Sequence, residues 1–221
     1  MERTDIQRSR RREFIRIAVP TILENLVGVI ITLIDTKMLS PLGKAAVSAV
    51  SLTSQPKLLF LSVFYALGTA ASIFVAQALG RKDREEANDY FHTVLRISFI
   101  LSIAMGIVIA LLAGPLMRLF SRQRETMAMS VTFFRIIMGF IGFQAVSIVL
   151  NAALRGIGQT KVTFLSSVFM GACDIVGNYL LIEGHCGFPA LGVAGDAIGT
   201  IAGTVLACEI GEHTSELQSR I

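Results

Sequence analysis

Six apolar runs punctuate the 221 residues, at about 14–39, 58–78, 91–113, 129–153, 162–182 and 190–210. Each reaches the roughly 20 residues that a helix needs to cross a bilayer core. No ten-residue alternation of polar and apolar positions recurs along the chain, so the pattern of an outer-membrane barrel is missing. A lipid-spanning backbone must then satisfy its own hydrogen bonds as helices, and the fold class is all-α: a polytopic membrane protein with a six-helix bundle. Turn chemistry separates the runs: Ser40-Pro41-Leu42-Gly43, Gly80-Arg81-Lys82-Asp83-Arg84 and Arg155-Gly156-Ile157-Gly158-Gln159-Thr160-Lys161. Helices joined so tightly are expected to be antiparallel neighbours. The second helix is predicted to start near Ala45, before its apolar core, which places Gln55, Pro56 and Lys57 toward its outer end or along a wet cavity, with Pro56 a candidate kink. Gly195, Gly199 and Gly203 fall four apart on one face of the sixth helix and permit close approach of a neighbouring backbone.

Composition agrees with lipid as the solvent: 53% of residues are hydrophobic, 16% charged, and the mean hydropathy is +0.65. Arg8, Arg10, Arg11 and Arg12 ahead of the first run imitate the start of a signal peptide. The apolar stretch is too long for one, contains Glu24 and Asp35, and is not followed by a small-residue cleavage site. The basic residues set topology instead. With the N-terminus inside, Arg3, Arg8, Arg10, Arg11, Arg12, Arg81, Lys82, Arg84, Arg155 and Lys161 are cytoplasmic, against Lys44, Arg118, Arg122 and Arg124 outside. Residues 1–13 thus read as a cytoplasmic basic N-terminus. The net charge of +4 reports this orientation, and no basic face points to nucleic acid. Cys173, Cys186 and Cys208 lack any paired or metal-binding spacing, and His92, His185 and His213 are scattered, so no metal site is expected.

A charge at the centre of a membrane span costs about 2.5–3.5 kcal/mol on insertion scales, which makes each one a functional candidate. Asp35 is the foremost. Glu24 precedes it by eleven residues, which at about 100° per residue returns to within about 20° of the same helix face. A carboxylate so placed is a candidate for exchanging a proton or binding a monovalent cation. Asp174 and Asn178 are four apart in the fifth run and share a face. With Asp35 they offer the oxygens that a small cation or a proton relay requires. Asp196 and Thr200 repeat the spacing in the sixth run, although Asp196 reads more simply as an outer-interface residue. Glu24 and Gln55 are candidates to line a cavity. Neither a HExxH, GxSxG nor GxxxxGK[ST] signature is present, so neither a hydrolytic enzyme nor an ATP-driven pump is indicated, and no catalytic residues or cofactors are expected.

Pro20 followed by Leu33-Ile34-Asp35-Thr36-Lys37-Met38 resembles the first helix of the multidrug and toxic compound extrusion (MATE) family. Val75-Ala76-Gln77-Ala78-Leu79-Gly80, Leu154 to Lys161, and Leu191-Gly192-Val193-Ala194-Gly195 with Ala197 and Thr200 agree in order and spacing, so the resemblance covers roughly residues 13–210. It implies one lobe of a transporter built from two pseudo-symmetric six-helix bundles, with a C-terminal six-helix lobe missing. It further implies export of drugs or organic cations in exchange for protons or sodium ions, from a bacterial inner (plasma) membrane. In the family the ion-coupling cluster falls on Asp35, Asp174, Asn178 and Thr200. Position 174 is commonly Asn and position 196 commonly Ala, so the two aspartates here are departures that bear on which ion couples. Alternatives are a flippase of lipid-linked saccharides in the same superfamily, which would want a basic cavity, and a non-transporting membrane scaffold. The run Glu212 to Ser219 resembles a translated sequencing adapter, so 211–221 is expected to be a non-native tail, the plain reading being a disordered one. Such a lobe is expected to be inactive alone.

Overall fold

A computed structural model describes the backbone of residues 2–120 and 124–219, and the side chains of 14–120 apart from Arg16 and of 126–209. The basic N-terminal side chains of 1–13 and those of the tail 211–221 therefore lie outside the described residues. The elements are α1 (Glu2–Leu39), α2 (Lys44–Gly80), α3 (Arg84–Phe120), α4 (Arg124–Gly139), α5 (Ile141–Gly156), α6 (Thr160–Leu181) and α7 (Val193–Ser219). Two short 3-10 turns, Ser40–Leu42 and His185–Gly187, complete them, and the described residues contain no strand. Among the described residues, four helices are long and apolar enough to cross a membrane on their own: the one spanning Ile17–Leu42, then α2, α3 and α6. The fourth run is not the single helix that its periodicity predicts. It breaks into α4 and α5 with a bend of 54°.

The break has a local cause. Phe140 leaves helical geometry at φ −105° and ψ 20°, between Gly139 and Gly142, two residues that hold a helix weakly. Gly106 of α3 lies against the end of α4, where an added Cβ would stand 3.6 Å from the Met138 carbonyl oxygen. Pro56, a candidate kink, is buried inside the unbroken helix α2. The core gathers Phe64 of α2, Ile109 and Met117 of α3, Phe134 and Ile137 of α4 and Ile141 of α5, all nearly inaccessible. At about 1.5–3 kcal/mol for each large apolar side chain, this burial holds the centre of the bundle.

Neighbour relations depart from the turn-based expectation in two places. Although α2 and α3 pack together, α1 barely touches α2 and lies instead along α6. Likewise α5 packs mainly on α2 and only lightly on α6, despite the three residues that join α5 to α6. Small residues decide both outcomes. Gly68 and Gly156 bring α2 and α5 together side by side, since an added Cβ at Gly68 would meet Ala152 at 3.0 Å and one at Gly156 would meet the Ser72 carbonyl oxygen at 2.6 Å. Gly171 of α6 receives the side chain of Ile31 of α1. The remaining face of α1, with Phe14, Leu23, Leu26 and Ile30 exposed, is open to lipid or to another body.

Candidate functional site

The glycine stripe of α7 builds the floor of the site. Gly195, Gly199 and Gly203 press against Leu181, Asn178 and Asp174 of α6, in antiparallel register. An added Cβ at Gly199 would stand 3.0 Å from the backbone nitrogen of Asn178 and collide with its side-chain oxygen. At Gly203 it would meet the backbone nitrogen of Asp174 at 3.2 Å. Such close backbone approach in lipid needs residues without side chains. Here it buries the polar pair on α6 and leaves their side chains only α1 and the start of α7 to meet.

Asp35 meets them from α1. The Asn178 side-chain amide donates to Asp35 Oδ1 at 3.1 Å and to Asp174 Oδ1 at 3.4 Å, bridging the two acids. Asn178 is fully buried and its Oδ1 has no hydrogen-bond partner among the described residues. Thr200 of α7 and Asp35 both lie close enough to Asp174 to act on its carboxyl group. Two carboxyl groups so close repel one another when both are charged, and a proton or a cation between them relieves that repulsion. The four residues singled out for ion coupling, Asp35, Asp174, Asn178 and Thr200, therefore converge from three helices.

Two further residues join the cluster. Asp196 is buried within the bundle, in the first turn of α7. There it also gains the favourable field of a helix N-terminus. Lys57, half-buried on α2, lies near enough for its charge to act on Asp35, Asp174 and Asp196, yet it makes no ion pair with them among the described residues. Its position beside the core-facing Thr53, Phe60 and Phe64 was the available signal. Gln55, by contrast, is exposed and does not join the acids.

Glu24 occupies a second polar cluster on the same seam, eleven residues or roughly 16 Å along α1. As the angular argument predicts, it faces α6, where Ser167 Oγ donates to its Oε1 at 3.1 Å. Arg155 Nη1, from the end of α5, pairs with the same oxygen at 3.1 Å. That ion pair was not legible in the sequence. A cavity of about 530 Å³ opens beside Glu24 between α1 and α6. A further cavity of about 590 Å³ lies at the α4–α5 break, lined by α3 and α7, and is apart from both polar clusters.

Comparison with known proteins places these features. The MatE family matches residues 20–180. The chain is 30% identical over 172 residues to the uncharacterized transporter YisQ of Bacillus subtilis, covering 78% of this chain and 38% of that protein. It is 28% identical to the probable multidrug resistance protein NorM of Thermotoga maritima, covering 86% of this chain and 41% of that one. Among solved structures, a MOP superfamily transporter from Pyrococcus furiosus superposes with a TM-score of 0.84 at 22% identity, over 91% of this chain and 44% of that chain. The chain thus spans less than half the length of the relatives it matches.

Proposed function

The chain belongs to the MatE family, and from that membership we propose that it forms the N-terminal lobe of a secondary active exporter of drugs or organic cations. Protons or sodium ions enter in exchange, and the N-terminus faces the cytoplasm. The observation that carries this reading is the convergence of Asp35, Asp174 and Asp196 with Asn178 and Thr200 inside a lipid-embedded bundle. Buried acids are costly in such surroundings and are retained where an ion passes. The named relatives, a transporter and a probable multidrug resistance protein, support export over a scaffold role. An acid-rich interior also fits cationic cargo better than the anionic headgroups that a saccharide-lipid flippase handles.

In this reading the entering cation settles between Asp35 and Asp174, and the Asn178 amide keeps the two carboxyl groups at a fixed spacing. Occupancy removes the repulsion between them and so favours a tighter packing of α1 on α6, while the empty pair favours a looser one. Cargo and ion are linked because each binds the two arrangements with different affinity, which is all that exchange requires. Lys57, near enough to act on all three acids, competes with an entering cation when it carries its proton. Replacing Asp35 with Asn in a protein carrying both lobes is expected to abolish export while leaving membrane insertion intact. Undiminished export by that variant overturns the assignment.

A further inference from the structure

The geometry points to a second cation-binding site, centred on Glu24, that takes the protonated amine of an apolar organic monocation in the cavity between α1 and α6. This inference deepens the exporter reading and rests on it for the class of ligand. Its support is a count of protons around one carboxylate. Oε1 of Glu24 is well supplied, with Arg155 Nη1 and Ser167 Oγ each at 3.1 Å. Among the described residues, Oε2 has only the Thr163 hydroxyl, at 3.4 Å. That hydroxyl carries a single proton, and it also lies 2.9 Å from the Thr160 carbonyl oxygen. The shorter bond competes for the proton, so Oε2 is left with one long, shared donor. An ionised oxygen so weakly supplied in a shielded site is costly, and a cationic N–H is the partner that answers it.

The surroundings suit such a partner. The carboxylate forms part of the wall of the cavity of about 530 Å³, a volume in the range of small-molecule sites. Val29, Ile31 and Met170 supply apolar contact for the body of a ligand, while Thr32 spends its proton on the Gly28 carbonyl and offers no competing donor. The side chain of Glu24 is only 14% exposed, so water does not screen it fully. Arg155 remains on Oε1 as a resident counter-charge, which leaves a single vacancy for one positive charge. Its carboxylate lies roughly 16 Å along α1 from Asp35, and the cavity runs from Glu24 toward Thr32 and Leu33.

Equilibrium binding of dansylcadaverine, a protonated primary amine on an aromatic body, tests the site in the purified 221-residue chain in nanodiscs, with neutral dansylamide as the control for partitioning. Glu24→Gln is expected to weaken the amine by about tenfold, the scale of one charge-assisted hydrogen bond, and to leave dansylamide unchanged. Glu24→Asp retains the charge and is expected to retain most of the affinity, with helicity by circular dichroism checking that both variants fold. Glu183→Gln, at an exposed carboxylate sixteen residues beyond Ser167, is expected to alter binding by less than about twofold. Arg155→Gln removes a competing positive charge and is expected to tighten binding. Binding by Glu24→Gln equal to the parent overturns the inference, and so does parallel weakening in Glu24→Gln and Arg155→Gln, the signature of an ion pair that only fastens α1 to α6. No gradient enters the measurement, so a chain that binds at Glu24 without exchanging ions loses only the exporter reading, and one that exchanges ions without binding there loses only this site.

Discussion

At the residue scale, the bridging amide of Asn178 does the work of keeping two acids together. Its two N–H groups are divided between Asp35 and Asp174. Asn178→Leu, similar in size but without donors, is expected to cost about 1–3 kcal/mol from the stranded partners, read as a lower midpoint in denaturing-detergent unfolding. It is also expected to lower export well beyond what that loss of stability explains. An unchanged midpoint together with full export would show the bridge to be idle. Much of this cluster was legible: Asp174 and Asn178 announce themselves by their spacing of four, and Asp35 by its charge within an apolar run. The partners that were not legible are those whose placement depends on the path of a distant helix. The burial of Asp196 was hidden because nothing local says how the start of α7 packs after the His185–Gly187 turn. Arg155 looked like a loop cation because its pairing with Glu24 spans 131 positions.

At the element scale, α7 behaves as a flat surface against which α6 is laid. Gly199→Ala places a methyl group against the backbone nitrogen and side-chain oxygen of Asn178. The expected cost is about 1–3 kcal/mol for overpacking, with the two helices forced apart and Asn178 displaced from its acids. Gly114→Ala on α3, where an added Cβ has open space, is the matched control and is expected to be harmless to packing. Detergent unfolding compares the two; equal midpoints would contradict the seam. Here the sequence was informative about the face but not about the neighbour. The spacing of Gly195, Gly199 and Gly203 defines a smooth stripe, whereas the identity of what covers it follows from the packing of the whole bundle. The same limit explains the expected pairing of α1 with α2. A short turn fixes that two helices are consecutive, and Gly171 accepting Ile31 then decides that α1 lies on α6. The break at Phe140 was signalled by Gly139 and Gly142, but an apolar run of unchanged period masked it.

At the scale of the whole molecule, an antiporter needs two bodies that move against each other, and this chain spans less than half the length of its relatives. The 221-residue chain alone, in sealed vesicles, is expected to bind cations without moving them, and addition of a C-terminal six-helix lobe is expected to restore exchange. Orientation is open to a separate test. Cys186 is a free, exposed thiol in the segment between α6 and α7, on the side opposite the start of α1 if each intervening run crosses the membrane once. A membrane-impermeant maleimide added outside intact cells is expected to label it, while labelling only after permeabilisation would reverse the topology. The most direct test of ion exchange at the Asp35 cluster is organic-cation flux into proteoliposomes under an imposed proton or sodium gradient, comparing the two-lobe protein with its Asp35→Asn variant. Gradient-driven flux in the parent and none in the variant, at equal insertion, is the expected result; flux that persists undiminished in the variant would contradict it.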